Sequence, residues 1–178
     1  MVTVSAIIPT YDRDTLVLRA IRSVLEQTHS PIEVIVVDDH SPTPVQEVLE
    51  RSNIDLDPIT VHRHDDNKGG NAARNTGVDL ASGDYLAFLD DDDEWVKTKI
   101  ERQLQYARNT EAGVVYTGVE QVSNGKTVAT KTSNVTGDVT IDLLKGNFIG
   151  TFSTILMRQD LVEAVGYPDN ELPSWHDW

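Results

Sequence analysis

Apolar residues in the first two thirds of the chain form two alternating patterns, continuous runs and one-sided repeats. The continuous runs, at residues 2–8, 33–37 and 85–89, have the length and the β-branched or aromatic content of buried strands, and residues 59–63 predict a shorter strand. The first one-sided repeat has helical spacing and consists of Val17, Ala20, Ile21, Val24 and Leu25. This alternation predicts a mostly parallel α/β sheet that is flanked by helices.

Three further helices are predicted in the same part of the chain. They lie at residues 44–51, from the glycines after Lys68 to Leu80, and at residues 96–109. The middle one is rich in small residues. We expect it to pack closely against the sheet through Ala72, Ala73, Thr76 and Leu80.

The last third of the chain predicts shorter elements and a smaller antiparallel part. Strands are expected at residues 113–122 and 153–157, and helical turns at 141–145 and 159–165. Asn124 and Gly125 tolerate positive φ at both central positions of a tight turn, so they predict a β-hairpin.

Four aspartates and a glutamate follow the strand at residues 85–89 and occupy positions 90–94. Adjacent carboxylates repel one another, so they stabilise the local fold only when a cation lies among them. Oxygen ligands suit Mg²⁺ or Mn²⁺, and ligands of open α/β sheets bind outside the carboxyl ends of the strands. We therefore predict a divalent-metal site here, with a solvated acidic surface as the alternative.

Composition bounds the class of protein. The 178 residues are 39% hydrophobic, which is enough for one domain with a sizeable core. The chain has no cysteine, which excludes disulfides and thiolate metal sites. It has no apolar run of the ~20 residues that span a bilayer and no signal peptide at Met1. We expect a cytoplasmic protein.

The net charge of −14 makes nucleic-acid binding through a basic face improbable. Lysine supplies only six of the fifteen basic residues, and aspartate is nearly twice as frequent as glutamate. This composition predicts a halophilic protein, in which concentrated salt screens the self-repulsion of the acids. An ordinary acidic protein is the alternative.

Three polar segments follow predicted parallel strands and should meet at one edge of the sheet. They are Pro9-Thr10-Tyr11, Asp38-Asp39 and Asp90-Asp91-Asp92. A tyrosine stacks on a nucleobase, a carboxylate such as Asp39 accepts a base N–H, and further carboxylates hold a metal against a diphosphate. Lys68 and Arg74 add positive charge nearby. The segments together predict a nucleotide-diphosphate site.

Two rival classes lack their required glycine loops. A dinucleotide-binding fold needs glycines after the first strand, where the backbone approaches the pyrophosphate, and residues 9–13 contain none. A sugar nucleotidyltransferase needs a glycine-rich, arginine-bearing loop at the same place. Both readings are therefore set aside.

Four ordered motifs carry a resemblance to a known family. They are VSAIIPTYDR at residues 4–13, VIVVDD at 34–39, NAARNTG at 71–77 and GDYLAFLDDDD at 83–93. The chain resembles the family 2 glycosyltransferases of the Rossmann-like GT-A fold over nearly its whole length. The resemblance implies metal-dependent, inverting transfer of a sugar from a nucleotide-diphosphate donor, such as a UDP-sugar. The expected acceptor is a hydroxyl or phosphate of a lipid phosphate, a lipid-linked glycan or a polysaccharide end at the inner face of the membrane, with peripheral membrane association.

The resemblance also assigns roles to individual residues. Tyr11 and Asp39 would contact the base and Asp91 the ribose, while Asp92 would bind the metal as the last residue of an Asp-x-Asp element that begins at Asp90. The remaining positions expected to contact the donor are Pro9, Arg13, Arg74 and, as a looser match, Lys68.

The catalytic base falls near the end of the chain by the same resemblance. Asp177 is the candidate, and His176 stands where the family more often has glutamate. We expect a single domain over residues 1–178, truncated at its carboxyl end, with a nucleotide-sugar half at 1–110 and an acceptor half at 111–178. A catalytically inactive nucleotide-sugar-binding module is the alternative function.

Overall fold

The computed structural model describes residues 1–170. Its strands are β1 (Val4–Thr10), β2 (Ile32–Asp38), β3 (Ile59–Arg63), β4 (Tyr85–Phe88), β5 (Val114–Val115), β6 (Val119–Ser123), β7 (Lys126–Lys131) and β8 (Leu156–Arg158). Its α-helices are α1 (Asp14–Leu25), α2 (Val45–Glu50), α3 (Gly70–Leu80), α4 (Lys99–Thr110), α5 (Thr140–Lys145) and α6 (Asp160–Val165). A 3₁₀ turn at Phe152–Thr154 precedes β8.

The central sheet has six strands in the order β3-β2-β1-β4-β8-β5. Its first four strands are parallel, and β8 runs antiparallel to both β4 and β5. Strands β6 and β7 form a separate antiparallel hairpin. The predicted fold, a mostly parallel sheet with a smaller antiparallel part in the last third, is confirmed.

Strand β1 lies at the centre of the core, and every one of its residues is buried. Alternate side chains point to opposite faces. Ile8 packs with α1, α2 and α4 on one face, whereas Ile7 packs with Val78 of α3 on the other. Strand β1 runs through Pro9, beyond the predicted end of the strand at Ile8. The carbonyl of Ile7 accepts the N–H of Leu89, and the backbone of Pro9, two residues on, faces the same side. Because β4 ends at Phe88, the missing N–H of Pro9 breaks no ladder hydrogen bond.

Helix α3 packs on the sheet through Ala73, as predicted, but its other buried positions differ from the predicted ones. Its buried residues are Asn71, Ala73, Arg74, Gly77 and Val78, whereas Leu80 is 42% exposed. A Cβ at position 77 would overlap Cγ2 of Ile7, so the helix approaches β1 most closely at that glycine. The prediction was wrong at the other positions because it followed small and apolar residues, whereas Asn71 and Arg74 are buried although they are polar.

The last third differs from the prediction in two strands. The single strand expected at 113–122 is two, because β5 pairs with β8 while β6 pairs with β7. The strand expected at 153–157 begins later, after the 3₁₀ turn. The hairpin turn is confirmed, with φ of 50° at Asn124 and 72° at Gly125.

Candidate active site

A cleft of about 350 Å³ opens at the carboxyl edge of the parallel strands. It is lined by Pro9, Thr10, Tyr11, Arg13, Asp39, Gly70, Ala73, Arg74, Asp90, Asp91 and Asp92. The lining comes from the carboxyl ends of β1, β2 and β4 and the loops that follow them, and α3 closes one side. The three polar segments therefore meet at one edge of the sheet, as predicted.

Asp91 is the buried member of the acid run. Its Oδ2 accepts a 2.6 Å hydrogen bond from Oγ1 of Thr10, and its Oδ1 accepts a 2.8 Å bond from Nη1 of Arg13. Burial raises the pKa of Asp91, and the hydrogen bonds from Thr10 and Arg13 oppose that shift. The carboxylate is thus held in one orientation at the floor of the cleft.

The aspartates on either side of Asp91 face the cleft from different depths. Asp92 is half exposed and accepts a 2.8 Å bond from the same Nη1 of Arg13. Asp90 accepts a 2.5 Å bond from Nη2 of Arg74, which is itself buried. Two arginines therefore offset the repulsion among three adjacent carboxylates.

Asp39 is almost fully buried, and three donors hold its side chain. Nδ1 of His64 lies 2.7 Å from Oδ1, the backbone N–H of Lys68 donates to Oδ1 at 2.8 Å, and that of Gly69 donates to Oδ2 at 2.7 Å. Gly69 has a φ of 89°, a conformation that favours glycine, so the loop before α3 is built to wrap this carboxylate.

Its neighbour Asp38 points away from the cleft and supports the fold. The carboxylate accepts backbone N–H groups of Ser41 and Val45, and Arg63 forms an ion pair with it. Burial opposes ionisation, but the hydrogen bonds, led by those from Ser41, outweigh it and lower the pKa of Asp38. Of the predicted pair, only Asp39 reaches the cleft.

The other predicted site residues fall in different places. Tyr11 is 48% exposed and Pro9 lies beside it in the lining. Lys68 lies outside the lining, with Nζ 4.0 Å from Asp66. Asp177 and His176 lie outside the described residues.

The sequence analysis missed two residues that support the site from outside its lining. His64 contacts Asp39, and Ser153 accepts the backbone N–H of Asp90 at 3.0 Å while its carbonyl accepts Nε1–H of Trp95 at 2.9 Å. His64 directly follows β3, beside the other site segments, and that position was a usable signal. Ser153 comes from the antiparallel part, and nothing in its neighbourhood along the chain marks that contact.

The acid run does not by itself form a metal site in the described part of the chain. Within residues 1–170, no group of three or more acidic or histidine side chains has an arrangement that could hold a metal ion. Asp90 and Asp92 still line the cleft with carboxylate oxygens. Mg²⁺ is commonly bound by one or two carboxylates together with substrate phosphates and water. The donor set fits an ion that is completed by a diphosphate.

Two solved glycosyltransferases share this architecture. TarS of S. aureus, residues 1–349 in complex with UDP, gives a TM-score of 0.75 at 23% identity over 98% of this chain and 52% of its own. The mannosyltransferase PcManGT of Pyrobaculum calidifontis, in complex with GDP-Man and Mn²⁺, gives 0.70 at 18% identity over 94% of this chain and 48% of its own. The fold is therefore that of the GT-A glycosyltransferases.

The family follows from the sequence itself. The profile of glycosyl transferase family 2 matches residues 5–166. Because that match covers most of the 178 residues, the chain belongs to glycosyl transferase family 2.

Two relatives align with nearly all of the chain. The UDP-Glc:α-D-GlcNAc-diphosphoundecaprenol β-1,3-glucosyltransferase WfgD of Escherichia coli is 32% identical over 98% of this chain and 68% of its own length. Glycosyltransferase AglE of Haloferax volcanii is 32% identical over 98% of this chain and 58% of its own length. The chain thus spans about half to two thirds of these proteins. Within residues 1–170, no helix is long and apolar enough to cross a membrane.

Proposed function

We propose that this chain binds a nucleotide-diphosphate sugar and transfers the sugar, with inversion, to an acceptor in glycan or polysaccharide assembly. The observation that carries the proposal is the cleft itself. It brings an exposed tyrosine, buried carboxylates and two arginines together at the carboxyl edge of a parallel sheet.

The lining residues support donor binding through distinct contacts. Tyr11, exposed at the rim, would stack on the base, and Asp39 would accept a base N–H. Asp91 lies deeper and would accept a ribose hydroxyl. Arg13 and Arg74 would move part of their hydrogen bonding from the aspartates to the diphosphate, for which a guanidinium is well suited. Lys68 would add charge from outside the lining, and Pro9 would pack beside the base.

The donor nucleotide that we propose is a uridine diphosphate. The support is WfgD, whose name gives UDP-glucose as its donor and a diphosphoundecaprenol-linked sugar as its acceptor. By the same likeness, we propose a lipid-linked or glycan acceptor at the cytoplasmic face of the membrane, reached by peripheral association.

We further propose that Mg²⁺ or Mn²⁺ binds with the donor. Asp92 and Asp90 would hold the ion through carboxylate oxygens, as the fit of this donor set allows. A metal bound there neutralises the charge that develops on a departing diphosphate. Arg13 and Arg74 hold the same carboxylates in place before the donor arrives.

Inversion needs one base that takes the acceptor proton as the oxygen attacks the anomeric carbon opposite the leaving diphosphate. We propose Asp177 for this role from the family resemblance. The residue is the penultimate one of the proposed acceptor half, residues 111–178, and residues 1–110 would bind the donor.

The experiment separates donor binding from chemistry. Calorimetry would measure the affinity for UDP with Mn²⁺, and UDP release from UDP-sugars in the presence of acceptor would measure transfer. We expect Asp177→Asn to keep the UDP affinity within about twofold, whereas transfer falls by about 10²–10⁴-fold. Asp160→Asn on α6 is the matched control. UDP binding without transfer in the parent protein would favour the inactive binding module, and unchanged transfer in Asp177→Asn would place the base elsewhere.

A further inference from the structure

His64 joins the wall of the cleft to helix α3. The residue follows β3 and is 4% exposed, and Asp39, which it contacts, is 3% exposed. Its Nδ1 lies 2.7 Å from Oδ1 of Asp39, and its Nε2 lies 2.9 Å from Oγ1 of Thr76 on α3. Both ring nitrogens therefore have a partner, and the ring has one orientation.

These contacts fix where the protons lie. An ionised carboxylate only accepts hydrogen bonds, so Nδ1 of His64 carries the proton and donates it to Asp39. In the neutral ring Nε2 then accepts, and the hydroxyl of Thr76 is its donor. The carboxylate of Asp39 thus selects the Nδ1–H tautomer, and the Thr76 hydroxyl, which can donate or accept, supplies the partner that Nε2 then needs.

The donors around Asp39 leave its two oxygens unequal. Oδ1 accepts both Nδ1–H of His64 and the backbone N–H of Lys68, which fills its two lone pairs. Oδ2 accepts the backbone N–H of Gly69 and has one lone pair left. The carboxylate cannot rotate without breaking one of these buried bonds, whose loss would leave a polar group unpaired.

We propose that His64 is a positioning residue for nucleobase selection. It holds the Asp39 carboxylate so that the remaining lone pair of Oδ2 faces the base-binding end of the cleft. This inference rests on the proposed function, in which Asp39 accepts a base N–H. It adds that the base N–H is accepted by one defined lone pair, and that this lone pair is oriented by a histidine that does not line the cleft.

A carboxylate oxygen held in one orientation discriminates among nucleobases. Uracil and thymine carry N3–H, and guanine carries N1–H, so each offers a ring N–H to Oδ2. Cytosine N3 and adenine N1 carry lone pairs and would meet the carboxylate with repulsion. The site thus takes nucleotides with a protonated ring nitrogen, and His64 sharpens that preference.

The test compares two ligands that differ only at that nitrogen, UDP and 3-methyl-UDP, in calorimetric titrations. We expect the parent protein to bind UDP at least about tenfold more tightly, since the methyl group removes the donor and leaves Oδ2 unpaired. His64→Phe should bring the ratio of the two affinities close to one and leave the affinity for 3-methyl-UDP nearly unchanged. His64→Asn places an amide N–H near the position of Nδ1 and should retain most of the ratio.

The outcomes separate the two proposals. A parent ratio near one would refute the base contact of Asp39, and the role of His64 with it. If the parent protein prefers UDP about tenfold over 3-methyl-UDP and His64→Phe keeps that preference, the role of His64 is refuted and the base contact of Asp39 stands. Equal losses of affinity for both ligands would assign His64 a purely structural role.

Thr76→Val removes only the partner of Nε2, so it tests the same chain of contacts if His64→Phe does not fold. We expect this variant to reduce the ratio of the UDP and 3-methyl-UDP affinities by a few-fold.

Discussion

Nη2 of Arg74 donates a 2.5 Å hydrogen bond to Oδ1 of Asp90, and the two side chains form part of the same cleft wall. The guanidinium also lies 4.3 Å from the ring centre of Phe152 and contacts Asn71 within α3. One arginine therefore joins the helix, the acid run and the segment that supplies Ser153. This link explains how a run of carboxylates persists at the end of a buried strand.

Loss of that arginine should destabilise the protein. Arg74→Met fills much of the same volume but leaves Asp90 without its partner, so we expect the free energy of unfolding to fall by about 3 kcal/mol. Urea denaturation would measure it. The control is Arg51→Met, which removes an exposed pair with Glu47 on α2 and should cost under about 0.5 kcal/mol. Similar losses in both variants would mean that the Arg74 pair is no more important than a surface contact.

The acids of the run should contribute unequally to metal-dependent donor binding. Asp92 lines the cleft whereas Asp93 does not. Asp92→Asn keeps the shape and removes a charged ligand, so Mn²⁺-dependent UDP affinity should fall by at least about tenfold. Asp93→Asn should change it little. Calorimetry with and without Mn²⁺ would measure both, and equal effects would indicate a diffuse acidic surface.

The parallel half of the fold was predictable because its signals are local. Strands β2 and β4 are nearly continuous apolar runs, and α1 repeats its buried residues with helical spacing. Strands β5 and β8 were predicted with the wrong bounds, since β5 was merged with β6 and β8 was expected to begin at residue 153. They are two and three residues long, and their pairing with each other and with β4 depends on contacts far apart along the chain.

The cleft was predictable for a topological reason. Parallel strands end at one edge, so Tyr11, Asp39 and Asp91 had to meet once the strands were assigned. The partners of these residues were not predictable. Asp38 and Asp39 are identical in type, and only the structure distinguishes the one held by Ser41 from the one held by His64.

Stability should rise with salt. The net charge of −14 implies repulsion among the acidic side chains. Salt screens this repulsion, because the screening length shortens from ~10 Å at about 0.1 M to ~3 Å at about 1 M. We expect the melting temperature to increase from dilute to molar NaCl, and KCl to act alike because the effect depends on ionic strength. A flat or falling melting temperature would contradict the halophilic interpretation that the composition supports.

Gly77 should be intolerant of a side chain although it lies in a helix. Alanine favours helices over glycine by about 1 kcal/mol, but its Cβ here would overlap Ile7 on the central strand. Overpacking typically costs about 1–3 kcal/mol, so Gly77→Ala should destabilise on balance. Gly146→Ala is the control, since a Cβ there meets nothing within 4 Å. Thermal melts of the two variants would be compared, and an equally stable Gly77→Ala would show that α3 can move away from β1.

Lys99 should make stability depend on pH through its burial. It lies in α4 with Nζ 4.3 Å from the ring centre of Trp95 and 2.7 Å from Oε1 of Gln103, and burial lowers its pKa from 10.5 to about 7. Between those values the unfolded chain holds a proton that the folded chain lacks. This contribution to stability therefore increases with pH from about 7 to 10.5, and it is constant below pH 7.

Substitution by an apolar residue should remove that dependence. We expect Lys99→Met to be more stable than the parent at pH 7, since the methionine needs no desolvated amine, and its advantage should shrink as the pH approaches 10. Lys97→Met, which removes an exposed lysine paired with Glu26, controls for the other groups that titrate in this range. Urea denaturation at intervals from about pH 6 to about pH 10 would cover most of the range in which the folded and unfolded chains differ in the protonation of Lys99. If the difference in free energy of unfolding between Lys99→Met and the parent is the same at every pH, as expected for Lys97→Met, the prediction is wrong. Lys99 would then remain protonated in the folded state, with Trp95 and Gln103 stabilising its charge.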